Sequence, residues 1–531
     1  MEERADVKSI LPFLPLQLQL RPSSLSLALV WPEAAADSLR SLSLGPAVSG
    51  VHSGHQLFGF IVALRDTLGF SSQPPLSPHA ADGFSLFFDQ LMSREHAKVW
   101  FEENLPILGG ILLKFPSLLE SHYDKSDKMF GEGGNGLRIL EKQHVRIVLL
   151  SQELIAALLT CSLLCLFPTD LRYSYHLRNI NFDQLFAGLS FKPRPSQEHK
   201  VKCLVHYFQR ICNQTPTGYV SFERKVLPLE PSCGNIYYPA PDIWKNSSVL
   251  LCSFKVFYSG LMEDEQDEVL EVDFANRYLG GGALKQGAVQ EEIRFMISPE
   301  LIAGMLFMPS MENNEAIEVI GSERFSYHKG YASTFKFAGD YRDEKLFDSM
   351  GRRSTRIVAI DALSRIGVAQ YNVENILREA NKAFCGFMDH SKFQHYLPRF
   401  QGNTETAGSS NLNLVEKKLK LEKINEESFA ESRIGIATGN WGCGAFGGDP
   451  QIKSMIQWLA ASQALRPFFH YYTFENPALQ ELEQVMLGMV EKRWTVGQLW
   501  QKLSEYSCEK LNGNKNLSFF KFVTPALRML H

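Results

Sequence analysis

Val272-Asp-Phe-Ala-Asn-Arg-Tyr-Leu-Gly-Gly-Gly-Ala-Leu-Lys-Gln-Gly-Ala-Val-Gln-Glu-Glu-Ile-Arg-Phe295 reads as the end of a strand, a glycine loop and the start of a helix. The strand ends near Asp273. Gly280, Gly281 and Gly282 then allow positive φ and a close approach of backbone to a ligand. The helix begins close to Gln290-Glu291-Glu292. Amides of such a loop, lying beside a helix N-terminus, suit a diphosphate. Two acidic residues in a first helical turn are common in any protein. Their combination with a strand-end Asp273 and with Asn276 is more specific, because it gathers carboxylates and an amide around one glycine loop.

Working outward, short apolar runs suited to buried strands occur at Val249–Tyr258, Val269–Phe274, Ala316–Ile320, Ile357–Asp361, Ile434–Thr438 and Phe468–Phe474. Helical patterns alternate with them at Val289–Ile297, Val373–Phe384, Ile452–Leu465 and Leu479–Glu491. That alternation predicts an α/β layered sheet with helices on both faces. Ligands of such sheets sit where strand ends meet glycine-rich loops. The chain before residue 230 reads differently, with helical spacing in Ala97–Leu105, Val145–Leu166 and Val201–Ile211. A mostly helical accessory domain over 1–230 and an α/β domain over 231–531 are expected. The polar stretch of about 401–432, with the lysine-rich run Glu416–Lys423, is expected to be an insertion. Acidic residues interrupt that run, so a solvated loop or short charged helix is preferred to a nuclear-import signal.

With 45% hydrophobic and 21% charged residues the composition is that of a soluble globular protein. A formal charge of −4 speaks against holding nucleic acid mainly by counterion release. A polyanionic ligand would therefore be gripped locally, by amides and a few side chains. Nine cysteines without a CxxC pair predict reduced thiols and no zinc. The start Met-Glu-Glu-Arg lacks a secretory pattern, and the most apolar run, Leu154–Phe167, is too short to span a bilayer. An intracellular protein, nuclear or cytoplasmic, with no membrane partner is expected. The acidic run Glu263–Glu268 is read as solvated loop rather than a metal site.

Asp273-Phe-Ala-Asn276, the triple glycine and Gln290-Glu291-Glu292 resemble the signature of the poly(ADP-ribose) glycohydrolases. Their catalytic half is a macrodomain, the ADP-ribose-binding fold. Gly330-Tyr331-Ala-Ser-Thr334 looks like that family's substrate-covering tyrosine segment. Thr438-Gly-Asn440-Trp-Gly-Cys-Gly-Ala-Phe446-Gly-Gly-Asp449 looks like its second, diphosphate-binding loop, and Tyr472-Thr-Phe474 like the strand end that places an aromatic beside the ligand. The likeness spans roughly Val249 to Glu491 and is looser before that. It is to a compact, plant-type member without the long N-terminal extension of the animal enzymes. The fold it implies is a macrodomain-like mixed sheet sandwiched between helices.

The resemblance implies hydrolysis of ribose–ribose glycosidic bonds in poly(ADP-ribose) carried on modified proteins, releasing ADP-ribose. It implies no cofactor and no metal. It gives general acid/base work to Glu292, with Glu291 on ribose hydroxyls and Asp273 and Asn276 positioning the sugar and the glutamates. Crowded carboxylates raise one another's pKa, which favours one staying protonated. Amides of Gly280, Gly281 and Gly282, and of Gly444, Ala445, Phe446, Gly447 and Gly448, would receive the diphosphate. Tyr331 and Phe474 would offer apolar faces, Phe446 would press on the sugar, and Asn440 would hydrogen-bond substrate. Gln290 and Glu263 would read the adenine edge. Trp441 is expected to pack rather than bind. A monomer without direct DNA binding is expected. Two alternatives remain at this point: a non-catalytic ADP-ribose reader, and a hydrolase that removes the protein-linked unit.

Overall fold

In a computed structural model of the chain, residues 4–20, 26–130, 136–191, 194–230, 238–389, 433–514 and 516–528 are described. The expected insertion at 401–432 lies outside them. In chain order the framework is α1 (Leu105–Phe130), β1 (Arg146–Ser151), α2 (Gln152–Leu163), α3 (Pro195–Asn213), β2 (Tyr219–Val226), β3 (Ser253–Phe257), β4 (Val269–Asp273), α4 (Gln290–Ile297), β5 (Glu315–Ile320), β6 (Arg356–Ala359), α5 (Val373–Phe387), β7 (Gly435–Gly439), α6 (Pro450–Gln463), β8 (Phe468–Tyr472), α7 (Leu482–Glu491) and α8 (Val496–Leu511). Two compact units divide it. The first holds Met1–Arg224, Ala275–Met311 and Val319–Thr355, and the second Lys225–Phe274, Glu312–Glu318 and Arg356–His531. Among the described residues no helix is long and apolar enough to cross a membrane.

The first unit is mostly helical. Leu108, Leu112, Phe115, Leu119 and Tyr123 recur on one face of α1 and are fully buried, the spacing of an amphipathic helix. The segment expected to be one helix from Val145 to Leu166 begins instead as strand β1, paired antiparallel with β2 from Arg146↔Arg224 to Ser151↔Tyr219. The β-branched and leucine run there suits a strand. Ser151 then ends it, because its side chain accepts the Leu154 N–H and caps α2.

In the second unit the strand order is β5-β6-β4-β7-β8-β3. The registers β6–β4, β7–β4, β7–β8 and β8–β3 are all parallel. Side chains alternate across the sheet. Leu270, Val272, Val358 and Ile436 face a core closed by Ala380 and Phe384 of α5, Met455 and Leu459 of α6, and Leu499 and Leu503 of α8. Val269, Ala437 and Tyr472 belong to a separate cluster with Met262. Consequently β4 delivers Asp273, 1% exposed, to its C-terminal end, where the chain leaves for the glycine loop.

Candidate active site

The glycine loop and α4 lie in the first unit. Glu291 and Glu292 open α4 and are 2% and 7% exposed. Adjacent helical residues point about 100° apart, and the two carboxylates accordingly engage different parts of the loop. Glu291 accepts the Asn276 N–H through Oε2 at 2.8 Å and the Gly280 N–H through Oε1 at 2.7 Å. Glu292 accepts the Gly282 N–H through Oε1 and the Val289 N–H through Oε2, both at 2.9 Å. The second of these bonds is half of a capping box, which ties the catalytic candidate to the start of its own helix.

The glycines are required by this wrapping. Gly281 has φ +49°, and a Cβ there would stand 2.4 Å from Glu291 Oε2 and 2.8 Å from Glu292 Oε1. A Cβ on Gly287, a residue the sequence reading passed over, would stand 2.7 Å from Glu292 Oε1. The Gly281 N–H donates to Tyr278 O at 3.0 Å. Thus the three amides expected to face a diphosphate are engaged inside the protein, holding the glutamates and the turn.

Lys200 of α3 was also missed. Its side chain is buried, and Nζ donates to Gly287 O at 2.6 Å and Lys285 O at 2.7 Å, with Gly282 O at 3.5 Å. Burial pushes this ammonium down to about 7, opposed by the Glu292 carboxylate. A neutral amine keeps two N–H groups, enough for the two short bonds. Tyr331 is 40% exposed. Its phenol is raised by partial burial, lowered by a hydrogen bond with the Gln290 backbone and raised again by Glu292. Asn276, Gly280 to Gly282, Gln290, Glu291, Glu292 and Tyr331 are therefore gathered in the first unit around one loop.

The second unit carries the other loop, between β7 and α6. The N–H groups of Gly444, Ala445 and Phe446 have no hydrogen-bond partner among the described residues. The Gly447 N–H returns to Gly444 O at 3.1 Å and the Gly448 N–H to Gly442 O at 2.9 Å. The result is a turn that presents three successive donors. Trp441 is buried beneath it, donating Nε1–H to Ile360 O at 2.9 Å, and Lys453 lies 4.2 Å over its ring. Lys453 is in turn bonded to Glu379. Asn440 is committed within the protein: Nδ2 donates to Thr473 O at 2.8 Å and Oδ1 accepts from the Tyr471 hydroxyl at 3.1 Å. These two bonds tie the end of β7 to the end of β8 and leave the second Nδ2–H of the amide without a part in them. Phe474, just past β8, has φ +53° and a ring 53% exposed. Glu263 sits half-buried in a 3-10 turn near the Tyr472 phenol. In the acidic run, Glu265 accepts from Tyr472 Oη at 2.8 Å and pairs with His470 Nδ1 at 2.9 Å.

Two family models match the chain. Residues 92–224 match the helical domain of poly(ADP-ribose) glycohydrolase, and residues 241–481 match its macro-domain fold. Over 99% of its length the chain is 46% identical to "Poly(ADP-ribose) glycohydrolase 1" of Arabidopsis thaliana, of which 98% is covered. It is 47% identical to the "Probable poly(ADP-ribose) glycohydrolase 2" of the same plant, with 99% of this chain and 100% of that one aligned. A "Poly(ADP-ribose) glycohydrolase 1" of Caenorhabditis elegans is 30% identical over 61% of this chain and 37% of its own. With helical and macro-domain halves both matched, and near full-length identity to two plant proteins, the chain belongs to the poly(ADP-ribose) glycohydrolase family.

Proposed function

We propose that the chain is a glycosidase that hydrolyses ribose–ribose O-glycosidic bonds of poly(ADP-ribose), with Glu292 as general acid and then general base. The observation that carries this reading is the setting of Glu292, a nearly buried carboxylate whose two oxygens each accept one loop N–H. A carboxylate has about four lone-pair sites. Two backbone bonds fix its orientation and leave capacity for a proton directed at the leaving ribose oxygen. Cleavage would pass through an oxocarbenium-like transition state, and the ionised glutamate would then activate water.

Glu291, held by Asn276 and Gly280, would meet ribose hydroxyls, and Asp273 at the end of β4 would help position the sugar. The unpartnered amides of Gly444, Ala445 and Phe446, continued by Gly447 and Gly448, suit the diphosphate. Tyr331 and the exposed ring of Phe474 suit the adenine or ribose faces, while Gln290 and Glu263 would read the adenine edge. The polymer decides the matter. Free ADP-ribose released by wild type but not by Glu292→Gln supports the reading, whereas a chain-length distribution left unchanged by wild type would identify a reader.

A further inference from the structure

In the first unit, beside the glycine loop, lies a cavity of about 220 Å³ that no assigned role uses. Gly281, Leu284 and Lys285 of the loop line it together with Arg172, Arg178 and Gln184. Three cations line it and no carboxylate does. Arg172 is occupied, donating Nη2–H to Met305 O at 2.7 Å and Nε–H to Arg178 O at 2.6 Å. Arg178 is not. Its guanidinium lies 4.3 Å over the Tyr278 ring, and its buried Nε has no hydrogen-bond partner among the described residues. Lys285 Nζ and the Gln184 side chain likewise have no hydrogen-bond partner among the described residues. Tyr173, also on the rim, is 89% exposed.

Arg178 and Lys285 repel one another, and an anion between them relieves that repulsion. Stacking Arg178 on Tyr278 fixes the direction of its donors, as a bidentate phosphate contact needs. Burial and the Arg178 charge both lower the Lys285 ammonium, while Asp183 raises it. The Asp183 oxygens already take the Ser77 N–H at 2.8 Å and Asn179 Nδ2–H at 3.3 Å.

We propose that this cavity is a second binding site for a diphosphate-bearing nucleotide, taken up by a unit of the ADP-ribose polymer other than the one being cleaved. Arg178 and Lys285 would hold its diphosphate and Tyr173 would stack on its base. The site shares Gly281 and Lys285 with the loop that carries the Glu292 contacts, so a bound unit there would couple grip on the polymer to the reacting loop. This inference rests on the proposed function.

Binding is measured on the full chain carrying Glu292→Gln, so that the polymer survives. Adding Arg178→Glu is expected to weaken long poly(ADP-ribose) about tenfold and to lower the slope of log affinity against log salt by about one. Affinity for monomeric ADP-ribose stays unchanged. Tyr173→Ala, at an exposed position that leaves packing intact, is expected to weaken the polymer about fivefold or more, as the loss of one base stack does. Wild-type polymer affinity in these variants overturns the inference, as does equal weakening of monomer and polymer. Tight single-stranded DNA binding that falls in parallel also overturns it, by exposing a general polyanion patch. Absence of polymer cleavage by the unmutated chain would instead refute the proposed function, which this binding assay does not depend on.

Discussion

A Cβ placed on Gly281 would lie 2.4 Å from Glu291 Oε2, closer than any real Cβ contact. The backbone there has φ +49°, a region costly for every residue with a side chain. Gly281→Ala therefore must move either the loop or the two carboxylates. A shift of about 1 Å in a catalytic group costs on the order of a hundredfold in rate. Steady-state kinetics on the polymer are expected to show a kcat loss of that size. A variant within twofold of wild type would mean that the glutamates tolerate displacement.

Glu292→Gln keeps the size of the side chain and removes its proton. Loss of general acid/base work typically costs about 10²- to 10⁴-fold, and kcat should fall within that range. Both oxygens of Glu292 accept N–H groups, so the amide NH₂ of glutamine must confront one of them. Loss of a cap costs about 1 kcal/mol. The variant should therefore unfold earlier as well as turn over slowly, while its affinity for ADP-ribose stays close to wild type. Full stability with lost turnover would count against the capping role.

Lys200→Met leaves Gly287 O and Lys285 O without their buried donor. An orphaned buried carbonyl costs about 1–3 kcal/mol, so the loop should loosen and kcat should drop by about tenfold or more. The pH dependence has a definite sign. An unfolded lysine keeps its proton up to about pH 10.4, whereas Lys200 in the fold is pushed down to about 7. Between these values the unfolded chain binds more protons, and stability rises with pH. Wild type should gain on Lys200→Met from pH 7 upward, by at most about 1.4 kcal/mol per pH unit. Thermal midpoints of the two proteins at pH 7, 8 and 9 check this, and parallel curves would rule it out.

Legibility in the sequence followed the range of the interactions. Strand β4, the triple glycine and the paired glutamates lie within one continuous stretch, so their order alone gave the strand–loop–helix. The β strands of the second unit were readable because buried parallel strands are uninterrupted apolar runs. Val145–Leu166 was misread because a strand and a buried helix share the same apolar letters, and only the Ser151 cap separates them. Amide use was not legible either. Which N–H a glutamate takes depends on side-chain direction, so Gly280 and Gly282 were expected to serve a ligand and instead serve Glu291 and Glu292. Lys200 lies far from the loop in sequence, yet a signal existed. It falls on the buried stripe of α3 with Val201, Leu204, Tyr207 and Phe208, a position where a lysine needs an explanation.

Phe474 separates stability from binding. Its φ of +53° is unfavourable for a phenylalanine, and its ring is half exposed. Strain of this kind concentrates at functional sites, where the side chain's placement matters more than its local conformation. Phe474→Ala removes the ring and keeps the strained backbone, whereas Phe474→Gly removes both. Left-handed backbone costs a residue with a Cβ about 1–2 kcal/mol, offset in part by the greater freedom of unfolded glycine. The glycine variant should therefore be more stable than the alanine variant by up to about 1 kcal/mol in denaturant unfolding. Both should bind ADP-ribose more weakly to the same extent, by about 1–3 kcal/mol for a lost base stack. Calorimetric titration of the two variants beside wild type measures this. If ADP-ribose binds all three equally, the ring is no part of the site, and its strain must have another cause.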